Sequence, residues 1–175
     1  MPMYNTIDEY WSVICHIHEY TKKFSIWAEE LSSPDYETFL QPIKEHRDAW
    51  DHIVRVYSGE GISKGNSYRL TNMSKALGHE FRAFFDAADW LSIVCRKRIL
   101  DVLTPLSYEE IKSQFPEYDE YKQAFNSVPR KIANARIKKD IGDDKIRVIV
   151  DSYAELVEDL EQKTEKILLI FGVGF

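Results

Sequence analysis

The chain has 175 residues, 44% hydrophobic and 30% charged, a composition that fits one globular domain over residues 1–175 and excludes a disordered chain. Its formal net charge of −6 argues against broad, non-specific nucleic-acid binding, leaving room only for a local basic patch. The two cysteines, Cys15 and Cys95, form no CxxC pair, which excludes a zinc ribbon and a disulfide framework and points to structural thiols in a reducing compartment.

The opening residues, MPMYNTIDEYW, contain no apolar signal core. The longest aliphatic–aromatic run, ILLIF at 167–171, is too short to span a bilayer, so a cytoplasmic chain without membrane contact is expected. Thr6 and Glu9 form a capping box. Behind it Ile7, Tyr10, Ile14, Ile17, Phe24 and Leu31 make one helical stripe. Ser32-Ser33-Pro34 ends this helix and caps the next. The second helix is striped by Tyr36, Leu40, Ile43, Trp50, Ile53 and Tyr57, and Pro42 predicts a kink or a break within it. GEGISKGNS, with three glycines, reads as a loop.

An unbroken period predicts a third helix from about Tyr68 to about Val102, with Leu70, Met73, Leu77, Phe81, Phe84, Ala88, Leu91 and Cys95 as its core stripe. Thr104-Pro105 ends it, and Ser107 with Glu110 caps a short helix. Pro116 and Pro129 cut the following region into two more short helices. Gly142-Asp143-Asp144 opens a final helix striped by Ile146, Ile149, Tyr153, Leu156, Leu160, Ile167 and Ile170. IRVIV is the only strand-like run, and it continues into a helical pattern. The fold class is all-α: an antiparallel bundle of four long helices, with short helices in the connection between the third and the last.

Helical bundles hold metal through Glu-x-x-His pairs, but Val13, Cys15, Ile43, Ala49 and Ala76 stand three residues before the five histidines. HExxH is absent. Cys15-x-x-His18 offers two ligands that no second sequence pair completes, so neither metal nor cofactor is assigned. No phosphate-binding glycine motif is present.

"EHRDAWDHIVRVYSGEG", residues 45–61, crowds polar groups around one tryptophan. Its Arg47-Asp48-Ala49-Trp50-Asp51-His52 resembles the R-x4-6-H signature of HEPN domains, helical-bundle proteins that include metal-independent endoribonucleases and catalytically silent RNA- or nucleotide-binding relatives. The resemblance implies a homodimer in which Arg47 and His52 act on RNA, promoting attack of a 2′-hydroxyl on the neighbouring phosphate. A spacing of five sets these two side chains about 140° apart on a straight helix, so they converge only with a partner chain or a distortion. The i,i+4 spacings instead pair Arg47 with Asp51 and Asp48 with His52.

If the second and third helices form a hairpin, facing residue numbers sum to about 125. That register places Arg47 level with Gly78, whose missing side chain suggests a close helix approach. A polar cluster of Arg47, Asp48, Asp51 and His79 is expected there, as a register-fixing network or a pocket. Arg82 and Asp86 on the third helix are further candidate binding residues. Arg96-Lys97-Arg98 and RKIANARIKK (130–139) are basic, and the absence of aromatics from the second run favours a solvated face.

Four Trp, ten Tyr and nine Phe leave aromatic surface to spare. The expected function is a non-enzymatic helical interaction module, a homodimer with room for a protein partner. The alternative is the HEPN-like RNA-binding protein or endoribonuclease.

Overall fold

The computed structural model describes residues 4–33, 38–138 and 145–172. Its elements are α1 (Ile7–Leu31), α2 (Leu40–Tyr57), α3 (Gly59–Lys64), α4 (Asn66–Leu103), α5 (Tyr108–Gln114), α6 (Tyr118–Lys138) and α7 (Ile146–Phe171), with no strand among the described residues. In this all-α bundle the long helices α1, α2, α4 and α7 pack together, with α5 and α6 in the connection before α7. No described helix is long and apolar enough to cross a membrane.

Both capping boxes form. Glu9 N–H donates to Thr6 Oγ1 at 3.2 Å while Glu9 Oε2 accepts from Thr6 N–H at 3.0 Å. Ser107 and Glu110 repeat the exchange at the start of α5. Each box satisfies donors that the first helical turn leaves without intrahelical partners.

α4, 38 residues and about 57 Å long, is the axis on which α1, α2 and α7 pack. Every member of its expected stripe from Leu70 to Cys95 is buried, and the helix passes Gly78 without a break. Gly78 is not a point of close approach, however. A Cβ there would meet only Arg82 Nη1, at an ordinary 3.7 Å.

Direction follows from the contacts. Glu45 reaches Arg82 and His52 reaches Asn72, so α2 is antiparallel to α4. Pairs between α1 and α7 keep a constant offset of 135 residues: Ser12 with Arg147, His16 with Asp151 and Lys23 with Glu158. A constant difference means that these two helices run the same way. α6 makes this possible by returning the chain, with Tyr121 O–H donating to Lys163 O near the far end of α7.

Several local expectations are corrected. Pro129 does not cut its region: α6 is one helix of 21 residues through it. Its neighbours Val128 and Ile132 are buried in the main core, and that packing offsets the lost backbone bond. Pro42 neither kinks nor breaks α2, because it is the third residue, where a missing N–H costs nothing. GEGISK is a helix rather than a loop, capped by Ser58 Oγ accepting from Gly61 N–H at 3.0 Å. Gly65, at φ 82°, makes the joint to α4 that a side chain would strain.

The inward face of α2 also differs from expectation. Pro42, Glu45, Ala49, Ile53 and Val56 are buried, whereas Leu40, Ile43, Trp50 and Tyr57 are exposed. The inward arc mixes small and polar residues with Ile53 and Val56, and the larger apolar side chains are left outside. The C-terminal apolar run packs on the bundle through Ile167, Ile170 and Phe171, against Ile99, Ile111 and Phe115. Pro34, Tyr36 and the Gly142-Asp143-Asp144 opening lie outside the described residues.

Candidate functional site

The α2–α4 crossing is polar, and its register is the one that the hairpin argument requires. Glu45 pairs with His79 and Arg82, His46 with Glu80, and His52 with Asn72. Two buried carboxylates anchor it. Glu45 Oε2 accepts from Arg82 Nε at 2.9 Å and lies 2.8 Å from His79 Nδ1, which also stands 2.7 Å from Arg82 Nη2. Burial alone would raise its pKa, but the hydrogen bonds from His79 and Arg82 outweigh that and hold it below its ordinary value.

Glu80 is 4% exposed and sits between two histidines from different helices. His46 Nδ1 of α2 lies 2.9 Å from Oε1, and His18 Nδ1 of α1 lies 3.4 Å from Oε2. Here too burial works to raise the carboxyl pKa, and the two imidazoles hold it below its ordinary value. Glu80 in turn raises the pKa of His18. The His18 and His46 rings are 4.9 Å apart.

This trio faces a cleft of about 500 Å³ also lined by Trp11, Ile14, Cys15, Glu19, Trp50 and Ile53. An apolar chamber with a few convergent polar groups is the usual form of a small-ligand site. Two imidazole nitrogens and one carboxylate oxygen, all within 4.8 Å of one another, can hold a metal ion.

The residues singled out in the sequence are dispersed. Arg47 is 72% exposed on the outer face of α2 and forks onto its neighbour Asp48, at 3.0 and 2.7 Å, rather than onto Asp51. Asp51 pairs with Arg55. His52 turns away from Asp48. Asn72 Nδ2 donates to Tyr68 O, which aims Asn72 Oδ1 at His52 Nδ1, 3.0 Å away. The His52 ring also stacks on His79 at 5.5 Å. The expected quartet at the crossing is therefore corrected: His79 is there, with Glu45 and Arg82 in place of Arg47, Asp48 and Asp51. Asp86 is half-buried one turn beyond Arg82. In the basic stretches, Arg130 and Lys131 are exposed on α6, and Arg96 Nε donates to Ser92 O.

Glu45, His46 and Glu80 are not among the expected site residues, and His18 enters only as half of the incomplete Cys15-x-x-His18 pair. The same register, applied to the carboxylates rather than to Arg47, points to three of them. Comparisons with protein-family models, curated proteins and solved structures give no match to this chain.

Proposed function

We propose that the chain is a non-enzymatic helical interaction module that pairs with a second copy of itself through the outer face of α2. One observation carries this reading. Leu40, Ile43, Arg47, Trp50, Val54 and Tyr57 follow a 3-4-3-4-3 spacing, the a/d seam of a coiled coil, on a helix already packed by its other side. Its apolar members are exposed, from 48% at Val54 to 69% at Leu40.

The seam is self-complementary under a two-fold axis. Set antiparallel against its own copy, it stacks Leu40 on Tyr57, Ile43 on Val54 and Arg47 on Trp50. The last is a cation–π layer whose single charge disfavours other registers. Lys44 then stands beside Asp51 of the second copy, twice, on the solvent flank. A closed isologous dimer results. The helix has 18 residues, about 27 Å, so the interface is small and micromolar association is expected.

The second reading, a HEPN-like RNA-binding protein or metal-independent endoribonuclease, draws support from Arg47, whose guanidinium is exposed at the centre of this face.

Sedimentation of the purified chain tests the proposal. Wild type should dimerise in the micromolar range, and Trp50→Asp should be monomeric and folded. Lys44→Asp should weaken the dimer, and adding Asp51→Lys to the same chain should restore it. A wild-type chain that stays monomeric at about 100 μM, or a dimer indifferent to Trp50→Asp, would overturn it.

A further inference from the structure

The two carboxylate clusters at the α2–α4 crossing are not equivalent. Glu45 is met by a guanidinium and an imidazole, both well placed on one oxygen. Glu80 is not so well served. Its Oε1 takes His46, but its Oε2 is fully buried and has no hydrogen bond, with His18 Nδ1 standing off at 3.4 Å. A buried carboxylate oxygen left without a donor costs about 1–3 kcal/mol, so a structural staple alone is a poor account of it.

We propose that His18, His46 and Glu80 form a binding site for a divalent transition-metal ion of the zinc class, open on the apolar cleft. The donor set is two imidazoles and a carboxylate, the combination used where three protein ligands leave a fourth position for water. The three ligand atoms lie within 4.8 Å of one another, so the side chains need draw in only slightly to hold an ion. Bonds of about 2.0–2.1 Å in a tetrahedron set neighbouring donors about 3.3 Å apart. His46 and His18 stand 2.9 and 3.4 Å from the two Glu80 oxygens. An ion drawn into the trio supplies the partner that the buried oxygen lacks.

The ligands come from α1, α2 and α4, three helices locked by the main core, so the site is held by rigid elements. Its open position faces Trp11, Ile14, Trp50 and Ile53. The two imidazole donors suit a borderline-soft ion, and a single carboxylate offers too few oxygen donors for magnesium or calcium. Cys15, one turn before His18, lines the same cleft but is not one of the three ligands; His46 and Glu80 come from two other helices.

The test uses the full chain without an affinity tag, stripped with a chelator and titrated with Zn(II) and, as a spectroscopic probe, Co(II). One equivalent should bind, with the intense visible absorption of four-coordinate cobalt. Glu80→Gln, His46→Ala and His18→Ala should each weaken binding at least about 100-fold, more than loss of an outer-shell partner would. His79→Ala, in the neighbouring cluster, should leave it unchanged. His18 is half exposed at the rim, so its variant decides the matter if Glu80→Gln does not fold. No stoichiometric binding, or binding that survives His18→Ala, would overturn the proposal.

Discussion

Glu45 of α2 meets His79 of α4 at 2.8 Å, and one residue further on each helix the roles reverse, with His46 of α2 meeting Glu80 of α4 at 2.9 Å. Adjacent residues point about 100° apart on a helix, so the two pairs grip the crossing from both flanks. Each helix lends one carboxylate and one histidine. Rotation and sliding of α2 on α4 are opposed together.

Glu45 sets the acid side of the stability profile. Its folded pKa lies below the ordinary 4.5, so the stability it contributes is complete above that value and is lost as pH falls through the folded one. Glu45→Gln should flatten the acid limb of a denaturation series. Glu45→Ala should cost about 2 kcal/mol near neutral pH, because His79 and Arg82 lose their shared acceptor. An unchanged acid limb in Glu45→Gln would contradict this.

Glu161 acts with the opposite sign. Burial, reinforced by the neighbouring Glu165, pushes its carboxyl up to about 7 from an ordinary 4.5. Across that window the unfolded chain is ionised and the folded one is still protonated, so stability falls as pH rises. Above it the loss is complete, up to about 3 kcal/mol. Glu161→Gln should therefore stabilise the protein at about pH 8 and leave it unchanged at about pH 4. Thermal melts at the two pH values read the difference directly.

Gly78 offers a gain. It sits in the middle of α4, where glycine is about 1 kcal/mol worse than alanine, and a Cβ would find ordinary contact with Arg82. Gly78→Ala should raise urea stability by about 0.5–1 kcal/mol. A loss would show that the glycine serves a close approach after all.

His52 separates the binding and nuclease readings. Single-stranded RNA incubated with the protein and a chelator should remain intact. His52→Ala should cost about 1 kcal/mol, for the bond to Asn72. Cleavage by the wild-type chain that disappears in a folded His52→Ala variant would establish the RNA-directed reading instead.

Much of the fold is written locally. Capping boxes involve residues three apart, and the α4 stripe repeats without interruption for seven turns, so both were legible in the chain. The hairpin register needs only equal rise along two helices joined by a short segment. Pro129 misled for a tertiary reason, whereas the GEGISK helix is held by the local Ser58 cap. Local propensity is worth about 1–3 kcal/mol, and buried neighbours such as Val128 and Ile132 outweigh it.

The choice of inward face on α2 belongs to tertiary structure. That helix carries two candidate arcs. One is rich in large apolar residues, Leu40, Ile43, Trp50 and Tyr57, and the other holds Pro42, Glu45, Ala49 and Ile53. Hydrophobicity favours the first, but the second supplies the carboxylate that the histidine and arginine of α4 take up. The trio of His18, His46 and Glu80 arises in the same way. Its members are 28 and 34 residues apart in sequence, on three helices, and no local pattern links them. The sequence by itself determined the stripe of α4, the two capping boxes and the register of the hairpin, because those depend on neighbours within a few turns. Only packing of α1 and α2 on α4 decided which polar groups are buried together and which apolar ones remain outside, because shape and charge are matched across helices.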